Sequence, residues 1–376
     1  MCGKRRFKVL CVALCFLVEA ANERIIAQSP VHSIHTIVTP LAGEDVARPC
    51  EYDMVIPPSG KKIRAVFVVF ERGPGSVRFY NDPDIRSFAD KHELAMMMPR
   101  HCSSKVYEDM DIDPSNGLGR ALFSALDQFS IQTDHPELRT APVILLGFSG
   151  AGAFAARLVG FAPQRIAAAV LSHAGQNHSL GLNTIQLSDA SLMVPELVIV
   201  GGKDQTVGTE LSYAYFSRYW RLGAPWLFAT QNDAGHCCTS DAKDLILAWL
   251  DIVLRKRLHQ VSGSLATIHR RDGYYAFFRK DPTEIWDSGK LITSNARNLT
   301  FQRRDSAGHN NVEAAGYLPS RKTASEWLNF ADRPAPTEHI AHGAYLVQCS
   351  EIFDVPAESG RAIGKESKEA IRTDTF

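Results

Sequence analysis

Between Val143 and Gly152 the chain reads Val-Ile-Leu-Leu-Gly-Phe-Ser-Gly-Ala-Gly, four apolar residues running into a serine set among glycines, with helix-forming residues behind it. A short apolar run closed by glycine reads as a buried strand. A strand that turns sharply into a helix needs small residues one and two places from the turn. Gly147, Gly150, Ala151 and Gly152 meet that demand. The pattern predicts a strand, a tight turn at Ser149 and a helix, with the serine hydroxyl raised at the carboxyl edge of a parallel sheet. The next amide, on Gly150, is then placed to bind an oxyanion.

The surrounding sequence supplies such a sheet. From about residue 35 to 258, apolar strand-like runs alternate with helical stretches, the signature of a mostly parallel sheet covered on both faces. Strands are expected at His35 to Thr39, Tyr52 to Ile56, Ile63 to Phe70, Leu94 to Met98, Val143 to Leu146, Ile166 to Ser172, Leu197 to Val200 and Trp226 to Ala229. Helices are expected at Asp84 to His92, Gly117 to Phe129, Ala151 to Phe161, Leu211 to Trp220 and Leu245 to Arg257, and Glu71 to Ser76 reads as a Gly/Pro loop. Trp220, Trp226 and Trp249 fall on apolar runs and are expected in the core.

At 376 residues and 45% hydrophobic content the chain can bury a full core and still carry an accessory segment. Lys plus Arg equals Asp plus Glu at 41 each, so no net field draws it to nucleic acid or an anionic membrane. Its first residues resemble a secretory leader: Lys4, Arg5, Arg6 and Lys8 precede the apolar run Val9 to Val18, with small residues after Glu19 at Ala20 or Ala27 for cleavage. The run is too short to span a bilayer, which takes about 20 apolar residues. We expect a signal peptide over 1–27, no stable membrane anchor after its removal, and a secreted or periplasmic protein. Cys50, Cys102, Cys237, Cys238 and Cys349 would remain, enough for one or two disulfides whose pairing spacing does not reveal. A catalytic domain is expected over 28–258. Residues 259–345, polar and aromatic with one clear helix at Lys322 to Phe330, form an extension that reads as a lid, an edge addition to the sheet or a carbohydrate-facing surface. The charged stretch 346–376 reads as a disordered tail.

A serine hydroxyl is a weak nucleophile near neutral pH and needs a base, which in turn needs an orienting acid. Both follow Ser149 in the order that a strand-turn-helix serine demands, Asp then His. Asp204 comes just after the strand Leu197 to Val200 in Gly-Gly-Lys-Asp, and His236 just after Trp226 to Ala229 in Asp-Ala-Gly-His. Asp204 is preferred to Asp233, which shares a short loop with His236. A second oxyanion amide is expected from the loop after Ile63 to Phe70, on Arg72 or Glu71, since Pro74 has no amide hydrogen. His101 and His173 each follow a strand and are placed to line a substrate pocket, with Glu71 at its mouth.

These residues resemble the α/β-hydrolase superfamily, and within it the secreted polyhydroxybutyrate depolymerase and feruloyl esterase-like branch. The resemblance covers about residues 35–258 and rests on Gly147 to Gly152, Gly201-Gly202-Lys203-Asp204 and Gly235-His236. It implies an eight-stranded, mostly parallel sheet and a cofactor-free serine esterase. The substrate would be a small-molecule or polysaccharide-linked ester, and no metal or nucleic acid takes part. The chain departs from the pattern in three places. Ala151 stands where glycine is usual, and the loop at Arg72 lacks the His-Gly most relatives carry. Phe148 stands where many of the branch have a cysteine bonded to one beside the histidine. The alternatives are a catalytically idle scaffold used for binding and a serine peptidase.

Overall fold

A computed structural model of the protein describes residues 33–58, 60–105, 113–175, 185–204, 206–258, 264–270, 273–277, 300–303 and 314–334. The expected leader over 1–27, the tail over 346–376 and Cys349 lie outside them. No helix among the described residues is long and apolar enough to cross a membrane.

The chain opens with β1 (Ser33–Val38), β2 (Cys50–Val55), β3 (Ala65–Val69), α1 (Pro74–Asn81), α2 (Pro83–Lys91), β4 (Leu94–Arg100) and α3 (Leu118–Gln132). Next come β5 (Val143–Phe148), α4 (Gly150–Phe161), β6 (Ile166–Ser172), α5 (Asp189–Leu192), β7 (Glu196–Gly201), α6 (Glu210–Arg221), β8 (Leu227–Gln231) and α7 (Lys243–Arg257). The described C-terminal elements are β9 (Tyr274–Phe277), β10 (Thr300–Arg303), β11 (Ala314–Leu318) and α8 (Arg321–Ala331).

The first eight strands lie in the order β1-β2-β4-β3-β5-β6-β7-β8. β2 runs against both of its neighbours, and every pairing from β4 to β8 is parallel. This is the α/β-hydrolase fold. Strands β3, β5, β6, β7 and β8 are buried at every position, which is why they read as unbroken apolar runs with no alternation. Of the expected core tryptophans, Trp226 and Trp249 are fully buried, and Trp220 is half-buried with the Arg270 guanidinium 4.1 Å above its ring. The described C-terminal residues carry the sheet on. β11 pairs antiparallel with β8, and β9 and β10 follow, giving eleven strands in one sheet. α8 packs beside α7, with the buried Trp327 indole donating to the Phe228 carbonyl on β8 at 2.8 Å.

Two parts of the chain differ from the sequence expectation for identifiable reasons. The stretch expected to be a Gly/Pro loop contains the start of α1, because Pro74 occupies the first turn, where its missing amide costs nothing. The edge strands β9 to β11 contain too few residues to show a period.

The amino end of β7 holds a group that makes stability depend on pH. Glu196 is fully buried, accepts one hydrogen bond from the Tyr215 hydroxyl at 3.2 Å on Oε1, and among the described residues has no partner for Oε2. Burial pushes its carboxyl well above the ordinary glutamate value, against the opposing Tyr215 hydrogen bond. Because the folded state then keeps a proton the unfolded chain has released, this group's contribution to stability is full below about pH 4.3 and falls as pH rises, by up to about 1.4 kcal/mol per unit. Glu196→Gln removes the titration and keeps the volume. Urea unfolding should show the variant gaining on the wild type from pH 5 to pH 8; a difference constant with pH would contradict the assignment.

Candidate active site

Strands β5, β7 and β8 bring together three side chains distant in sequence. Ser149 sits between β5 and α4 with φ 53° and ψ −129°, a strained geometry for a residue with a side chain. It is held by its own amide, which donates to the Ser172 carbonyl on the neighbouring strand at 2.9 Å. The turn is this tight because Gly147 has no side chain: a Cβ there would lie 2.2 Å from the Ala151 carbonyl oxygen, inside the backbone of α4. Ala151 itself has ordinary negative φ and is fully buried, so the usual glycine is not needed at that place. Gly147→Ala should therefore cost about 1–3 kcal/mol of stability or more and about a hundredfold in any Ser149-dependent rate. Unfolding curves and active-site labelling check this together; near wild-type values in both would contradict the steric reading.

Asp204 follows β7. Its Oδ1 accepts from the amides of Thr206 at 2.9 Å and Val207 at 3.1 Å, and its Oδ2 lies 2.7 Å from His236 Nδ1. The loops carrying the two residues are stitched together, Gly202 donating to Gln231 and Lys203 to Ala234, each at 2.8 Å. Gly201 makes this crossing possible, since a Cβ there would meet the Gly235 carbonyl oxygen at 2.2 Å. Burial raises the Asp204 carboxyl, but the hydrogen bond from His236, with help from the Val207 amide, holds it below the ordinary aspartate value. It therefore stays ionised. With Nδ1–H donating to that carboxylate, Nε2 of His236 is free to accept the Ser149 hydroxyl, 3.1 Å away. Asp233 is not the histidine's partner: it is exposed and ion-paired to Lys203 at 2.9 Å.

The remaining expected site residues separate. The Gly150 amide is the first of α4 and has no partner within its own helix. The Glu71 amide is taken by the Pro99 carbonyl at 3.2 Å, so it is not the second oxyanion donor, and the Glu71 carboxylate faces Arg100 at 3.6 Å. His101 lies exposed in the turn after β4, its carbonyl accepting from Arg48 at 3.2 Å. His173 does not line an open pocket: it is 1% exposed, with its ring 5.8 Å from that of His236. Sequence reasoning placed it near the site because it ends a strand, and missed its burial because the residues that cover it are remote in sequence.

Two further features escaped the sequence. Phe148, where the resembled branch has a bridging cysteine, packs its ring 5.0 Å from the His236 ring. Cys237 is bonded to its neighbour Cys238, which takes a left-handed φ of 74°, while Cys50 and Cys102 are free and buried. Three of the six non-glycine residues with positive φ among those described, Ser149, His173 and Cys238, belong to this one site. Such clustering is the usual mark of a functional centre.

No protein-family model matches the chain, and no curated protein matches it in sequence. Solved structures resemble it in chain path. The S-formylglutathione hydrolase FrmB of Staphylococcus aureus is 12% identical with a TM-score of 0.42, over 59% of this chain and 98% of its own. Est1E from Butyrivibrio proteoclasticus is 13% identical with a TM-score of 0.38, over 59% of this chain and 96% of its own. The acylaminoacyl peptidase of Pyrococcus horikoshii is 11% identical with a TM-score of 0.44, over 62% of this chain and 43% of its own.

Proposed function

We propose that the protein is a serine hydrolase that cleaves carboxylic esters through an acyl-enzyme. One observation carries this reading: Ser149 Oγ, both nitrogens of His236 and Asp204 Oδ2 form a continuous hydrogen-bonded line of 3.1 Å and 2.7 Å at the carboxyl edge of the sheet. In the first half-reaction His236 Nε2 takes the Ser149 proton as Oγ attacks the ester carbonyl. Asp204 holds the imidazole in the tautomer that can accept it and stabilises the imidazolium. The amides of Gly150 and Arg72 receive the oxyanion, and the imidazolium gives its proton to the departing alcohol. Water then repeats the sequence on the acyl-enzyme, with the same base, and no cofactor enters.

The substrate is a small-molecule or polysaccharide-linked ester met outside the cytoplasm. The basic and apolar leader over 1–27 supports that compartment, and a Cys237–Cys238 disulfide suits an oxidising one. Hydrolysis of p-nitrophenyl acetate and butyrate by the wild type and by Ser149→Ala tests the activity. Turnover by the wild type alone supports the reading; equal rates would leave a scaffold that binds without catalysis. A panel of feruloyl, acetyl and hydroxybutyrate esters then ranks the acyl groups.

A further inference from the structure

Beside the three residues of the proposed triad stands a second histidine that the mechanism does not use. His173 follows β6 with a left-handed φ of 51°, and its amide donates to the Ile199 carbonyl on β7 at 2.8 Å. A non-glycine residue keeps that backbone only where its surroundings fix it. The ring is held by one hydrogen bond and two ring neighbours. Its Nδ1 lies 2.9 Å from Ser172 Oγ, which lies 2.9 Å from Thr239 Oγ1. Among the described residues its buried Nε2 has no hydrogen-bond partner. Phe148 stands 5.5 Å away, and the His236 ring meets it edge to face at 5.8 Å and 89°.

Thr239 follows His236 and the Cys237–Cys238 disulfide in the chain, so the buried ring meets the base directly and reaches the loop after it through Ser172. We propose that His173 is a positioning residue: it holds His236 in line between Ser149 and Asp204 by tying Thr239 to the end of β6 through Ser172 and by packing edge-on against the base's own ring. The inference rests on the triad reading of the preceding subsection. A histidine suits this place where phenylalanine does not, because a ring nitrogen meets the Ser172 hydroxyl. Burial holds its imidazole neutral, down to about 4, so it sets no second positive charge against the imidazolium that forms on His236. At 1% exposure it touches no substrate.

The test compares wild type, Ser149→Ala, His173→Ala, His173→Asn and Thr239→Val on p-nitrophenyl acetate, with unfolding curves for each. His173→Asn tolerates the left-handed backbone and keeps an acceptor for Ser172. Thr239→Val cuts the far anchor without touching residue 173. The expected result is a kcat lowered about 10- to 100-fold in His173→Ala, with KM within about twofold, a smaller loss of kcat in Thr239→Val, and partial recovery in His173→Asn. If Ser149→Ala is inactive while His173→Ala and Thr239→Val keep wild-type kcat, the triad stands and the positioning role falls. A rise in KM with kcat unchanged overturns it too, since that would place His173 against substrate. Full activity in Ser149→Ala would remove the premise instead.

Discussion

Ser149→Ala is expected to lower kcat/KM on p-nitrophenyl esters by about ten-thousandfold or more. The size follows from what the hydroxyl does. Without it no acyl-enzyme forms, and the two amides and the binding surface can favour only a slow direct attack by water. His236→Ala should lose a similar amount, because the base and the nucleophile act as a unit, 3.1 Å apart. The double variant should then be scarcely worse than either single one. Losses that multiplied in the double variant would mean that the two residues work independently. The protein should stay folded throughout: Ser149 anchors its turn through the backbone amide, which alanine retains.

Asp204→Asn is expected to cost about a thousand- to ten-thousandfold, with little effect on stability. The replacement fills the same space and keeps an oxygen for the Thr206 and Val207 amides, so the acid loop should hold its shape. What changes is the proton. An amide nitrogen facing His236 Nδ1 favours the tautomer with the hydrogen on Nε2, and that nitrogen can no longer accept from Ser149. The lost negative charge also leaves the imidazolium without a partner. Asp233→Asn supplies the contrast, since that carboxylate pairs with Lys203 on the surface and should be within about twofold of wild type. A tenfold loss or less in Asp204→Asn, or a large one in Asp233→Asn, would reverse the choice of acid.

The parts of this site that could be read from sequence are those that depend on short-range pattern. Val143 to Gly152 announces its turn because Gly147 must clear the Ala151 carbonyl, and Gly201 announces the acid loop because Gly235 passes over it. Buried parallel strands read as apolar runs for the same local reason, and Ile166 to Ser172 came out with its observed bounds. The missed features depend on contacts between distant segments. Whether Glu71 offers its amide is decided by Pro99, on the next strand. Whether His173 faces water is decided by Phe148 and His236, far from it in the chain. The α1 helix was hidden for a different reason: Gly73-Pro74-Gly75 carries loop residues, yet proline suits a helix's first turn.

In the proposed mechanism Ser149 is an activated nucleophile and His236 the group that activates it. A fluorophosphonate probe, followed by peptide mass spectrometry on the wild type and on His236→Ala, measures that directly. The predicted result is one covalent adduct, on Ser149, formed at least about a hundredfold more slowly once the imidazole is gone. An unlabelled wild-type serine, an adduct elsewhere, or equal labelling rates in the two proteins would contradict it.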